Sequence, residues 1–202
     1  MVKELTKMKQ QKFKAQIQTK RLILKGRENA TFEMATAFSN LIQQNIKFLR
    51  KWIGFAWKEN TPEISYRKCY KSSQLWHELK EADYNIFLKN GELIGQINMK
   101  DVNYKIASGE IGYYMAEKYT GKGYMTEAVL ALEAEFFKRG INRIQMCIDK
   151  DNIPSINLAK RCGYKLDGIM RDDSLTASGR GPSSTAVYSK LRAEWQKEQK
   201  KK

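Results

Sequence analysis

The chain has 202 residues, 42% hydrophobic and 29% charged, with a formal net charge of +15. That length suits one domain, and that composition supplies a core and excludes global disorder. With 13 Gly and 3 Pro the chain is neither collagen-like nor Pro-rich, and no segment approaches the ~20 apolar residues of a membrane span.

The first 27 residues hold nine basic groups and one acid. Residues 1–16 alternate Lys and Gln and read as a loosely ordered basic arm. The Lys-rich start has no apolar core of a signal peptide, so a cytoplasmic location is expected. Residues 17–25 read as a first strand. Over 28–51 the apolar residues Phe32, Ala35, Phe38, Ile42, Ile46 and Leu49 recur at helical spacing, as one broken helix or two short ones. The aromatic segment Trp52 to Trp57 follows, read first as core packing. Thr61-Pro62-Glu63 opens a helix running to about Lys80.

Strands are expected over 83–89 and 92–103, joined at Asn90-Gly91, because a tight hairpin needs positive φ at both turn positions. Residues 108–115 make a third strand of this meander. A helix follows from Tyr124 to Lys138 and stops before Gly140. Residues 142–149 form a strand, and Asn152 caps a short helix that ends at Cys162-Gly163. Strands over 164–170 and 185–192 close the domain, with 174–185 read as a loop. The domain spans 17–196, and 197–202 is a basic C-terminal tail.

This order predicts an α/β fold: a single mixed, mostly antiparallel, twisted sheet with helices on both faces. Strand 108–115, helix 124–138 and strand 142–149 form one parallel β-α-β pair. The basic ends read either as handles for a ribosome, RNA or an acidic protein, or as solubilising tails.

Cys69, Cys147 and Cys162 are irregularly spaced, and His77 is the one histidine, so no metal set is expected. His77 sits in an ordinary amphipathic helix and reads as structural. Gly121-Lys122-Gly123 lies between a strand and a helix. Two glycines let backbone amides approach a ligand, and the helix N-terminus favours phosphate. A tight turn without a ligand is the competing reading. The Walker pattern is absent, and Thr126 stands where a dinucleotide loop needs its third glycine.

The blocks Glu110-Ile111-Gly112-Tyr113-Tyr114-Met115, Thr120 to Ala128, Asp151-Asn152-Ile153-Pro154-Ser155, Cys162-Gly163-Tyr164 and Tyr188 to Leu191 occur in one order. This series resembles the GNAT acetyltransferases, and within them the RimJ/RimL-type ribosomal-protein N-terminal acetyltransferases. The resemblance implies a GNAT fold and acetyl-CoA as donor, with no metal. It implies backbone pairing of the pantetheine arm at Met115. It assigns the pyrophosphate to the amides of Thr120, Gly121, Lys122, Gly123, Tyr124, Met125 and Thr126, with Asn152 also binding the donor. It makes Ser155 the group on the thiolate side, since Ala159 stands where many relatives carry a Tyr. Glu110 is the first choice of base, with Asp172 and Asp173 second. The region of Trp52 to Trp57 would line the acceptor groove.

Two departures stand out. The family pattern Gln/Arg-x-x-Gly-x-Gly/Ala falls on Thr120, Gly123 and Met125, so only its middle anchor is kept. Residues 174–185 carry small side chains where an acid often precedes the last strand. The implied reaction moves acetyl from acetyl-CoA to a primary amine by direct attack in a ternary complex. The expected acceptor is a protein N-terminus, ribosomal by resemblance. A polyamine or aminoglycoside is the alternative within the class. A non-catalytic CoA- or RNA-binding module is the alternative outside it. Monomer and homodimer both stay open.

Overall fold

The Asn90-Gly91 turn joins β3 (Ala82–Leu88) to β4 (Leu93–Asn103), and Gly91 has φ of 89° as that turn requires. The structure, a computed structural model, describes residues 12–201. β1 (Gln16–Gln18), β2 (Leu22–Gly26), β5 (Ser108–Met115), β6 (Arg143–Asp149), β7 (Lys165–Leu175) and β8 (Pro182–Leu191) complete one eight-stranded sheet. Its order is β1-β2-β3-β4-β5-β6-β8-β7. Only β5 and β6 run parallel; every other neighbouring pair is antiparallel.

Six α-helices accompany the sheet among the described residues. They are α1 (Phe32–Gln44), α2 (Ile46–Leu49), α3 (Pro62–His77), α4 (Tyr124–Lys138), α5 (Ile153–Arg161) and α6 (Arg192–Gln199). Caps set three of the starts. Thr31 accepts from Met34 N, Thr61 from Ile64 N, and Asn152 from Ser155 N. One core cluster joins Leu22, Leu24, Ile86 and Ile97 of the sheet to Ile42 of α1, Trp76 of α3, and Leu132 and Phe136 of α4. That cluster includes Phe13, whose ring lies 5.3 Å from Trp76 and 5.5 Å from Phe136.

Four expectations need correction. The first strand is two strands, because Thr19 closes a turn: its N–H donates to Leu22 O, and its hydroxyl oxygen accepts from Leu22 N. The arm expected over 1–16 lies outside the described residues as far as residue 11. From Phe13 onward the chain is docked on the core. The loop expected over 174–185 is half strand, since Ser174↔Ser183 and Leu175↔Pro182 extend the β7–β8 ladder and shorten the loop to a turn at 176–181. The tail expected over 197–202 begins inside α6, and Glu198 of that helix pairs with Lys190; Lys202 lies outside the described residues.

Candidate active site

β5 and β6 are in register only over Ser108↔Arg143, Gly109↔Ile144 and Glu110↔Gln145. Beyond Glu110 they separate. β5 keeps its antiparallel ladder with β4 as far as Met115, and β6 keeps its own with β8 as far as Asp149. The result is a V-shaped gap in an otherwise continuous sheet, with a cavity at each side of it.

The first cavity, of about 740 Å³, is lined by Met115, Thr120, Gly121, Gly123, Tyr124, Met125 and Thr126, with Arg161 at its edge. Gly121 and Gly123 have φ of 72° and 76°, a backbone that side chains resist. Gly123 is the N-cap of α4 and supplies no side chain to its first-turn amides, which leaves them available to a ligand. The loop is braced from behind by Arg21. Its Nη1 donates to Lys122 O at 2.9 Å, its guanidinium stacks 4.5 Å over Tyr124, and its Nε donates to Glu127 Oε2 at 2.6 Å. Glu127 Oε1 also accepts from Thr19 Oγ1 and Arg21 N. Burial pushes the Glu127 carboxyl up, but these Thr19 and Arg21 bonds outweigh it and hold the pKa below the ordinary value. Sequence reasoning missed Arg21, which lies 101 residues from the carbonyl it supports.

The second cavity, of about 480 Å³, is lined by Glu110, Lys100, Asp83, Arg27, Cys147 and Asp149 among others, with Phe38 and Phe55 as aromatic walls. Both cavities share Trp52, Ile53, Tyr113, Tyr114, Asn152 and Ser155, so they meet at the gap. Ser155 stands in the first turn of α5, and its N–H is held by Asn152 Oδ1 at 3.3 Å. Glu110 is ion-paired to Lys100 Nζ at 2.8 Å and accepts from Gln145 Nε2 and Cys147 Sγ. Burial raises the Glu110 pKa, yet Lys100, Gln145 and Cys147 together bring it below the ordinary carboxylate value. The Cys147 thiol goes the other way, pushed to about 12 by burial and by Glu110, so it is no thiolate nucleophile.

Of the predicted residues, Lys122 is not brought into the first cavity: its carbonyl serves Arg21, and its Nζ sits 5.6 Å over the Tyr119 ring. Asp172 and Asp173 stay outside the second cavity. They occupy the bulged part of β7, where Asp172 N bonds Ser184 Oγ and Asp173 Oδ1 accepts from Thr185 N. The 52–57 segment does both things expected of it: Ala56 is buried in the core with Ile53 and Phe55 packed against it, and Trp52, Ile53 and Phe55 line the cavities, Phe55 meeting the Tyr114 ring at 5.5 Å. His77 is structural as expected and meets Glu28 O at 2.8 Å.

Three side chains that sequence reasoning left without a role carry buried polar atoms with no hydrogen-bond partner: Asp83 Oδ1, Tyr113 Oη and Tyr114 Oη. All three residues line the second cavity. Beneath it Arg27 is buried, bonded twice to Asn85 Oδ1, 4.3 Å over the Phe38 ring and 4.0 Å from Asp83. No signal short of the strand pairing joins Arg27 to Asp83 and Asn85.

The Acetyltransferase (GNAT) domain family matches residues 21–165. The chain belongs to the GNAT acetyltransferase family. YdaF of Bacillus subtilis, provisionally named a ribosomal N-acetyltransferase, is 30% identical over 169 residues, 81% of this chain and 89% of that one. The ribosomal-protein-serine acetyltransferase of Escherichia coli K12 is 28% identical over 110 residues, 54% of this chain and 62% of that one. Among solved structures, RimL, a ribosomal L7/L12 α-N-protein acetyltransferase in complex with coenzyme A, superposes with a TM-score of 0.80 at 21% identity, covering 87% of this chain and 97% of that one. The self-immunity acetyltransferase MccE, in complex with acetyl-CoA and AMP, gives a TM-score of 0.78 at 22% identity, covering 92% and 99%. The GNAT fold and an acetyl-CoA-dependent acyltransferase activity follow from this membership. The first cavity suits such a co-substrate: its lining is mostly apolar and includes the loop glycines, the start of α4 and Arg161. No metal cluster of three or more His, Cys, Asp or Glu occurs among the described residues.

Proposed function

We propose that this GNAT enzyme acetylates the N-terminal α-amine of a protein, a ribosomal protein being the first candidate. The observation that carries this reading is the gap itself, with one cavity on each side. Acetyl-CoA supplies the acyl group as a thioester when bound. In this reading the loop from Thr120 to Thr126 and Met115 hold the donor from one side, together with Asn152. The amine arrives from the other side, past Glu110. The two cavities touch at Ser155, so acceptor and thioester meet directly and no covalent enzyme intermediate is needed.

An amine must be neutral to attack, and its proton must leave. Glu110 stays ionised through the neutral range, which makes it a weak base but a lasting negative charge. It draws the amine in and accepts the proton through water. Ser155 faces the sulfur and donates a hydrogen bond as the thiolate forms.

The acceptor assignment leans on the names of YdaF and the E. coli enzyme. MccE, equally similar in fold, keeps a small-molecule amine as the second reading, and the aromatic walls Phe38, Trp52 and Phe55 favour a flat acceptor in it. The cytoplasm is the proposed place of action, where acetyl-CoA and nascent chains coincide. No helix among the described residues is long and apolar enough to cross a membrane.

The test is thiol release from acetyl-CoA with peptides bearing free N-termini, polyamines, aminoglycosides and amine-bearing nucleotides. The proposal expects the highest kcat/KM on a peptide and no turnover once its N-terminus is blocked. Preference for a polyamine, an aminoglycoside or an amine-bearing nucleotide would reject the protein acceptor while leaving the acyltransferase class intact.

A further inference from the structure

α3 buries Ser65, Cys69, Ser72 and Trp76, a stripe that recurs every three to four residues and fixes how the helix is rolled. Lys68 stands beside Cys69 at the margin of that stripe, exposed to solvent yet lining the second cavity. Its Nζ lies 5.3 Å over the ring of Phe55, an aromatic wall of the same cavity. Three cations line this cavity: Arg27, Lys68 and Lys100. Arg27 lies 4.0 Å from Asp83 and bonds Asn85, and Lys100 pairs with Glu110 at 2.8 Å. Lys68 has no acidic partner among the described residues, and the full charge acting on it is another cation, Lys58. Burial, and then the Lys58 charge, push the Lys68 pKa below the ordinary lysine value. An ammonium that is partly desolvated and unpaired is stabilised by an anion brought beside it.

We propose that Lys68 selects the acceptor by pairing with an Asp or Glu side chain carried within the first few residues of the peptide whose N-terminus is acetylated. The inference rests on the protein-acceptor reading proposed above and deepens it. The cavity walls differ in charge. On the β5 wall the Glu110 carboxylate stands in the proposed path of the amine. On the α3 wall the Lys68 ammonium stands without a counter-charge. A peptide that presents its amine to the first wall and a carboxylate side chain to the second satisfies both. A polyamine brings no anion to Lys68 and meets a like charge there, which disfavours it. Two other acids of the lining are bonded to hydroxyls: Asp149 accepts from Ser183 Oγ at 2.6 Å, and Asp83 accepts from Ser72 Oγ.

The test uses the full chain and two peptides that differ only in carrying Glu or Gln at their second and third positions. Steady-state kinetics give kcat/KM for each. The unaltered protein should favour the Glu peptide by about fivefold or more, mainly through a lower KM, and high salt should shrink that preference. Lys68→Ala should bring the ratio close to one, Lys68→Glu should reverse it, and Lys68→Arg should keep it. A merely structural lysine would not reverse a preference between two peptides. A ratio within about twofold of one in the unaltered protein, or an unaltered ratio in Lys68→Glu, would overturn the inference and leave the protein acceptor intact. An amine-bearing nucleotide used better than the Glu peptide, and lost in Lys68→Glu, would assign Lys68 to a phosphate and overturn the carboxylate. Turnover of neither peptide would overturn the protein acceptor and this inference together.

Discussion

Ser155 and Glu110 divide the proposed chemistry between the two sides of the gap, and each makes a separate prediction. Ser155→Ala should lower kcat by ~10²–10⁴ while leaving acetyl-CoA affinity within about threefold, measured by steady-state kinetics and calorimetry. A kcat unchanged from the unaltered protein would remove Ser155 from the reaction. For Glu110 the sign of the pKa shift matters. A depressed carboxyl is ionised above its lowered pKa, so it adds no acid limb to kcat/KM in the neutral range. The rise in rate should instead follow the acceptor, near the ~8 of an α-amine. Glu110→Gln should lower kcat/KM without moving that limb. Loss of a limb between pH 5 and 7 on this substitution would show Glu110 titrating in the reaction. The residues legible in sequence were those with a local signature. Gly121 and Gly123 were legible because a strand-to-helix turn needs positive φ, and Asn152 because a cap must accept from the first turn. Tyr113, Asp83 and Arg27 had none, since their importance depends on which strands pair and where two of them part.

At the scale of elements, the sequence order gave the meander and the β-α-β unit to within a few residues, because alternation and helical spacing are local. The parting of β5 from β6 has no local signature in the sequence. It depends on β4 and β8 holding the two strands in place from outside. The break between β1 and β2 was missed for a similar reason: Thr19 and Arg21 turn there to reach Glu127 on α4. α6 was missed because its residues are largely polar; it is tied down by Phe137 stacked 5.6 Å from Trp195 and by the buried Lys190 between Glu133 and Glu198. Glu127 links β1–β2, the donor loop and α4, so Glu127→Gln should loosen all three. We expect a stability loss of about 1–2 kcal/mol at pH 7, reduced from the full value of charged hydrogen bonds by partial exposure, and a higher KM for acetyl-CoA. The depressed carboxylate contributes above its unfolded pKa and loses that contribution as pH falls through the folded pKa. Denaturant curves for the two proteins should therefore converge in acid. A gap in stability that persists below pH 3 would show that shape, and not charge, holds the turn.

For the whole molecule, the basic N-terminal segment is partly structural. Lys14 pairs with Glu135 at 2.7 Å, Arg21 with Glu127, and Arg27 is buried beside Asp83. Phe13 seals the core between Trp76 and Phe136, so Phe13→Ala should cost about 3–5 kcal/mol in denaturant unfolding. A loss under 1 kcal/mol would return residue 13 to a dispensable arm. The charge handle proposed for a ribosome or RNA is thereby confined to the exposed lysines, and salt-sensitive association is its signature. The account's central claim is that the donor is gripped by the loop between β5 and α4 and reaches across the gap. Calorimetry of acetyl-CoA against Gly123→Val tests it most directly, with Gly123→Ala as the milder partner and a thermal melt as the check on folding. Both side chains would intrude where Gly123 holds φ of 76° and where an added Cβ would meet Arg21 at 3.4 Å. The account predicts binding weakened at least tenfold in Gly123→Ala and abolished in folded Gly123→Val. Unchanged affinity in either folded variant would contradict it.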